Sequence, residues 1–383
     1  MKREKVEIYF DNAATTPVRE EVANKLSKYY SEIYGNPSSL HQTGQRAKRG
    51  LEVSRQKISG FLGCEAKELY FTGGGTESNN IAIRGASFSK RERGRHIITS
   101  SIEHHAILNP CHTLEQDGFE VTYVPVTDAG IIDIEALRNS IRPDTILISI
   151  MLVNNELGTI QPISKVAEIT RERSILLHTD ACQAVGKIPV NVDELGVDML
   201  SLAAHKFYGP KGQGALYIRK GTVIKPLMYG GHQERIIRPG TENVPGIMGM
   251  AEAMMLANDE LQEESTRLSS LRDHLEQGMK NRFSSVVFNG HREMRIPGIS
   301  NMSFNNMDGE MLLLALDTFG ISVSTGSACN AGSTEISHVL RAIGLDPELA
   351  RGSLRFSLGR QNTASEVDTV INALSGIIEL QAL

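Results

Sequence analysis

The sequence predicts an α/β fold: a large domain with a mainly parallel sheet between helices, followed by a smaller C-terminal α/β domain. Three observations carry this. From about residue 68, short apolar runs alternate with amphipathic stretches. Several of the apolar runs are apolar on successive residues, as in strands buried on both faces. Past residue 283 a second, shorter series of strand and helix patterns begins. With 383 residues and 40% hydrophobic content, the chain is long enough for two cores. The boundary is expected near residue 258, giving 1–258 and 259–383, with the N-terminal segment packing on the smaller domain.

Taken in order, Thr16-Pro17 offers a capping hydroxyl and then a proline where its missing N–H costs nothing, so the first helix is expected to open there. Strands are expected at 68–71, 96–100, 120–126, 145–150, 175–179, 199–203 and 215–219. Helices are expected between them at 76–86, 105–116, 134–140 and 163–171. One long helix is expected over 244–283, with Met248, Met250, Met254 and Met255 as core packing. The smaller domain has strand patterns near 286–289, 299–305, 321–325 and 354–358. Its helices fall near 309–318, 335–342 and 364–380.

Composition removes several function classes. The 40 basic and 45 acidic residues leave a net charge of -5, which does not suit a nucleic-acid binder. The basic run Lys90-Arg-Glu-Arg-Gly-Arg95 reads as a solvated loop. The longest apolar stretch, 146–153, is far too short to span a membrane. The opening residues lead into a strand without a signal-peptide core, so a cytoplasmic location is expected. Four cysteines, Cys64, Cys111, Cys182 and Cys329, are widely spaced, which suits neither a disulfide scaffold nor a zinc site.

The residues that carry chemistry sit where strands run into loops. The run 198–206 delivers Lys206, behind His205, into a loop rich in glycine and proline, and the strand at 175–179 runs out onto Asp180. An amine and a carboxylate at neighbouring strand ends suit pyridoxal phosphate, which needs a lysine for its covalent link and an acid opposite its ring nitrogen. Phe71-Thr-Gly-Gly-Gly-Thr76 runs from a strand through three glycines, Gly73 to Gly75, into a helix start. Such a turn suits an anion, although an ordinary strand-to-helix turn has the same composition. Paired His104 and His105 open the next helix; one stacked on a flat ring, or a simple cap, are both open readings. Gln183 and Asn155, at strand ends, are amides able to contact a ring oxygen or a substrate.

Two further features lie in the smaller domain. Cys329 sits among small residues in Ser324-Thr-Gly-Ser-Ala-Cys329-Asn-Ala-Gly-Ser, which fits an exposed nucleophile or a loop bystander. Arg355, inside an apolar strand, is expensive to bury without an anion. A bidentate carboxylate ligand or an internal ion pair would each satisfy it.

Taken together, these strings resemble the cysteine desulfurases, pyridoxal-phosphate enzymes related to the class V aminotransferases. The resemblance runs in order through Asp11-Asn-Ala-Ala-Thr-Thr-Pro17, Gly74-Gly-Thr-Glu-Ser-Asn-Asn80, Glu103-His-His105 and Asn154-Asn-Glu-Leu-Gly158. It continues through His178-Thr-Asp-Ala-Cys-Gln183, His205-Lys206 and Arg238-Pro-Gly-Thr241. The Cys329 loop and Ser337-His-Val-Leu340 are similar to the NifS/IscS-like subgroup.

The resemblance implies a type I pyridoxal-phosphate transferase fold and a set of roles. Lys206 holds the cofactor and later moves protons. Asp180 faces the pyridine nitrogen, His104 stacks on the ring, and Gln183 contacts the ring oxygen. Thr76, His205 and the Gly75 backbone hold the phosphate, with Thr241 contributing from the partner of a homodimer. Asn155 and Arg355 hold the substrate carboxylate, Asn12 lines the site, and Cys329 takes the sulfur of L-cysteine. The resemblance further implies release of L-alanine, and passage of the persulfide sulfur to an acceptor such as an iron–sulfur scaffold protein. No metal is implied. Selenocysteine lyase, aminotransferase and a non-catalytic sulfur carrier are the rival readings. Two departures stand out. Relatives commonly carry a serine three residues before the lysine, where this chain has Ala203. Housekeeping relatives carry a C-terminal tail for scaffold docking, whereas this chain stops at Leu383, so docking through such a tail is not expected.

Overall fold

The computed structural model describes residues 7–325 and 336–381; Cys329 therefore lies outside the described residues. The strands are β1 (Ile8–Tyr9), β2 (Leu69–Thr72), β3 (His96–Ser100), β4 (Glu120–Val124), β5 (Thr145–Ser149), β6 (Leu176–Asp180), β7 (Met199–Ala203) and β8 (Gly214–Ile218). They continue with β9 (Val287–Asn289), β10 (Ile299–Ser303), β11 (Ile321–Ser322) and β12 (Ser353–Ser357).

Seven strands form one sheet in the order β2-β8-β7-β6-β5-β3-β4. Its pairings are parallel from β7 through β6, β5 and β3 to β4, and β8 alone runs antiparallel, against both β7 and β2. Strands β3, β5 and β7 are buried at every residue, which is why none of them alternates apolar and polar positions; the polar His96, Thr99 and Ser100 of β3 are buried as well. The β6 and β7 ends, at Asp180 and just before Lys206, therefore lie side by side on one edge, where parallel sheets place ligands.

A second core surrounds the antiparallel sheet β12-β10-β9, and Ile8 and Phe10 are part of it. The N-terminal segment reaches this core by pairing β1 parallel to β11, with Ile8 opposite Ile321, and Asp11 bridges to Ser357 of β12. Among the described residues, no helix is long and apolar enough to cross a membrane.

Three local expectations differ from the structure. The first helix is Glu20–Ser31, not a helix opening at Thr16. The Thr16 hydroxyl is used elsewhere: it donates to the His205 carbonyl at 3.0 Å and accepts from Tyr208 N–H at 2.8 Å, tying the N-terminal segment beside Lys206. The helix Gln42–Leu62 has no counterpart in the sequence-based expectation. Its Ala47, Leu51, Ile58 and Leu62 form one buried stripe, and it closes at Gly63 with φ 75°. The expected long helix is two helices, Val244–Asp259 and Leu261–Arg282, meeting at Glu260. There the Glu260 carboxylate accepts two hydrogen bonds from buried Arg19, both 2.8 Å, and also pairs with Arg360. Met248, Met250 and Met254 are buried in the large core, as core packing requires.

Candidate active site

A cleft of about 340 Å³ opens at the β6 and β7 ends and brings together Asp180, Lys206, His104, Gln183, Asn155 and Arg355. Gly75, Thr76 and His205 line both this cleft and an adjoining open mouth formed by Gly73, Gly74, Thr15 and Lys211.

Lys206 ends a short turn, Ala204–Lys206, directly after β7. Its Nζ donates to the carbonyls of Ala13 and Ala14 at 2.6 and 2.8 Å. The N-terminal segment thus supplies the acceptors that aim the amine.

Asp180 closes β6 and is buried. One carboxylate oxygen accepts from Asn79 Nδ2 at 2.6 Å, and the other accepts from Cys182 N–H at 2.9 Å. Asn79 escaped the sequence reading as a site residue. Its signal was a polar side chain one turn after Gly75 in the helix Gly75–Lys90, which places it over the same end of that helix. Asn79 Oδ1 is buried and has no hydrogen-bond partner among the described residues.

The glycine turn has a definite backbone requirement. Gly74 precedes the helix Gly75–Lys90 with φ 151° and ψ -178°, a region that is essentially restricted to glycine. A Cβ on Gly75 would stand 2.5 Å from Cys182 Sγ and 3.6 Å from Cβ of Ala203. Ala203 therefore lines the cleft without adding a donor. Glu77 tightens the turn: one of its oxygens accepts from Gly73 N–H at 2.7 Å and the other from Arg238 Nε at 2.8 Å.

His104 is the N-cap of the helix His105–Gln116, and its Nδ1 accepts from Ala106 N–H at 3.0 Å. Burial, chiefly, pushes its imidazole below the usual histidine range. A neutral ring accepting at Nδ1 carries its proton on Nε2. His205 is pushed down to about 4, first by burial and then by the positive charges of Lys206, Lys211 and Lys187. It is thus a neutral ring at the mouth, in contact with Thr15 Oγ1 at 3.1 Å.

Arg355 reaches the cleft from β12 and is buried. Its guanidinium donates to Asp11 Oδ1 at 2.7 Å and to the Asn155 carbonyl at 3.1 Å, while its Nε has no partner among the described residues. Asp11 is the second residue that the sequence reading did not place here.

Two expected site residues sit apart. Asn12 does not line this cleft. Its amide donates to the carbonyls of Tyr9 and Ser357 at 3.2 and 2.9 Å and accepts from Gln361, and it faces an enclosed cavity behind Lys206. These contacts join the N-terminal segment to β12 and to the Gln361 turn that follows it. Thr241 is exposed and lines neither the cleft nor its mouth within its own chain.

Beneath the cleft lie two buried carboxyls. Glu103 accepts from Ser100 Oγ at 2.6 Å and from Met151 N–H at 3.0 Å, and burial raises it to about 8. Glu156 accepts from Ser337 Oγ at 2.6 Å and is raised by burial to about 7. His338 meets the Glu103 carbonyl at 2.9 Å, so the segment after residue 335 is fastened to this floor at two successive residues.

Comparison with known proteins places this geometry in a family. The Aminotransferase class-V family model matches residues 8–370. Over 379 residues the chain is 52% identical to the cysteine desulfurase IscS of Dictyoglomus turgidum, covering 99% of this chain and 95% of the relative. It is also 52% identical over 372 residues to the cysteine desulfurase IscS of Methanosarcina thermophila, covering 97% and 92%. Among solved structures, a NifS-like protein superposes with TM-score 0.92 at 41% identity, covering 98% of this chain and all of that one. SspA in complex with cysteine superposes with TM-score 0.82 at 38% identity, covering 92% and 98%. The chain belongs to the class-V aminotransferase family, in its cysteine desulfurase group.

Proposed function

We propose that this protein removes sulfur from L-cysteine, releasing L-alanine and leaving a persulfide on Cys329, with pyridoxal phosphate as cofactor. The observation that carries the reading is the convergence of Lys206, Asp180 and Arg355 on one cleft: an amine, a carboxylate and a guanidinium delivered by separate strands. The donor set fits the cofactor. The glycine turn with Thr76 and His205 offers an anion cradle at the start of a helix, the buried Asp180 offers an acceptor for a ring N–H, and Lys206 lines the same cleft. When bound, pyridoxal phosphate supplies an electron sink for negative charge developing at the substrate α-carbon.

The chain's own residues supply the rest. Lys206 is the covalent anchor and the base that takes and returns the α-proton. Asn79 and the Cys182 N–H hold the Asp180 carboxylate in a single orientation. His104 covers the ring face and Gln183 donates to the ring oxygen. Gly75, Thr76 and His205 bind the phosphate, and Thr241 joins them from the partner of a homodimer. Arg355 and Asn155 hold the substrate carboxylate, and the planar fork of the Arg355 guanidinium suits that anion. In the sulfur step a bond forms between Cys329 Sγ and the substrate sulfur while the substrate Cβ–S bond breaks. The carbon then takes up a proton, so that cysteine and a thiol become alanine and a persulfide. An iron–sulfur scaffold protein is the acceptor class that fits this product, and the cytoplasm is the proposed site of action.

The test is anaerobic incubation of purified protein with cysteine, followed by alanine assay and mass analysis of the Cys329 peptide. One added sulfur on that peptide is expected. Cys329→Ala is expected to lose sulfide production while keeping the visible cofactor band. Full desulfuration by that variant would sink the mechanism.

A further inference from the structure

Gln183 has two chemically different ends, and each is held. Its Nε2 donates to the Ala13 carbonyl at 2.8 Å, and its Oε1 accepts from Lys187 Nζ at 2.5 Å. A carbonyl only accepts and an ammonium only donates, so both contacts select the same orientation of the amide. The first contact is shared, because Lys206 donates to the same Ala13 oxygen at 2.6 Å. The Lys187 contact is independent of where Lys206 points.

The local chain is shaped to bring Lys187 back over Gln183. Val185 N–H donates to the Ala181 carbonyl and Ile188 N–H to the Ala184 carbonyl, the bonds of a helix-like turn that bring residues four apart, such as Gln183 and Lys187, to one side. Gly186 within that turn has φ 76°, and a Cβ there would lie 2.7 Å from Cβ of Phe207, so the bend depends on glycine. Gln183 lines the open cleft, while Lys187 lines the enclosed cavity behind Lys206, whose walls also carry Arg19, Glu260 and Glu264. On the cleft side its charged or titratable neighbours are Lys206, Arg355 and Cys182. Burial, then the charges of Lys206 and Arg355, push the Lys187 amine down to about 7. An amine donates whether charged or neutral; the neutral form also accepts, and in that form the Ala13 carbonyl, which only accepts, keeps the amide's orientation.

We propose that Lys187 is a positioning residue: from outside the cleft it grips Gln183 by the carbonyl oxygen and keeps the amide's N–H side turned toward Ala13 and the bound cofactor's ring oxygen. This rests on the proposed function above. A donor at the ring oxygen stabilises that oxygen's anionic form and lowers the proton affinity of the conjugated system. Loss of the grip weakens the donor and raises that affinity.

The test is the pH midpoint of the visible absorbance band of the protein loaded with pyridoxal phosphate. Lys187→Met is expected to raise the midpoint by about one unit, a tenfold change in proton affinity. Lys187→Arg, which keeps a donor, is expected to restore most of it. Gln183→Leu is expected to raise the midpoint similarly, and adding Lys187→Met to it is expected to change little further. An unchanged midpoint in Lys187→Met overturns the proposal. So does a full Lys187→Met shift persisting on the Gln183→Leu background, which would assign the effect to charge alone. If Lys187→Met does not fold, Lys187→Ala is read by the same two criteria. A wild-type protein that gives no visible band overturns the proposed function itself, a result distinct from the other two.

Discussion

Asp180 and Arg355 face the same cleft, but they arrive by different construction. Asp180 extends the β6 strand of the seven-stranded sheet, and its partners Asn79 and Cys182 come from the helix and turn beside it. Arg355 comes from β12 of the antiparallel sheet, and its partners are Asp11 from the N-terminal segment and Asn155 from the loop after β5. The carboxylate of the cofactor end is thus held inside one core, while the Lys206 amine beside it is aimed by Ala13 and Ala14 of the N-terminal segment. The substrate-carboxylate end exists only where two cores and the N-terminal segment meet. The difference teaches that holding the cofactor and choosing the substrate are separable mechanically, and substitutions should separate them.

The largest effect is expected at the floor that both ends share. Glu103 has an ordinary value of 4.5 and is raised to about 8 in the folded chain. Between those values the unfolded chain sheds the proton that the folded chain keeps, so stability is full below pH 4.5 and falls as pH rises toward 8. Glu103→Gln cannot ionise and removes that loss. Urea unfolding at pH 5 and pH 8 should show the variant gaining on wild type by roughly 3 kcal/mol across the window. No gain with rising pH would mean that Glu103 is ionised in the fold.

Next in size is the arginine end. Arg355→Lys keeps a charge for Asp11 but loses the planar fork. The KM for cysteine is expected to rise roughly 30-fold, with the cofactor band unchanged. A collapse of cofactor binding with an unaltered KM would break the separation of the two ends. The smallest effect belongs to the cradle. Gly74→Ala forces a side chain into a backbone region that tolerates only glycine, and the dissociation constant for pyridoxal phosphate should rise roughly tenfold. At saturating cofactor the KM for cysteine should stay within about twofold of wild type.

The two ends also differed in legibility. Lys206 and Asp180 could be read because each terminates an apolar run, and strand ends in a parallel sheet point at ligands. The sheet itself was visible because strands such as β3, β5 and β7 are buried throughout and so lack polar alternation. What stayed hidden depended on contacts distant in sequence. Nothing local in Asp11 announces an ion pair with Arg355, and Asn12 carries no sign that its amide would be consumed by Tyr9, Ser357 and Gln361. Thr16 looked like a helix cap because the competing carbonyl belongs to His205. The break at Glu260 was invisible for the same reason: helix propensity continues through it, and the arginines that hold its carboxylate are Arg19 and Arg360. The helix Gln42–Leu62 was missed despite a clear local stripe, a failure of pattern reading and not of physics.

The pairing of β1 with β11 has a consequence for how the protein is made. Ile8 finds its partner only at Ile321, so the first strand leaves the ribosome long before the residue it must join. At ordinary synthesis speeds the interval is roughly 15–60 s. During that time Ala13 and Ala14, which aim the Lys206 amine, belong to a segment without its anchoring strand. The nascent chain can assemble its seven-stranded layer while its reactive lysine is still unaimed, and the amine is brought to bear only once residue 321 has been made.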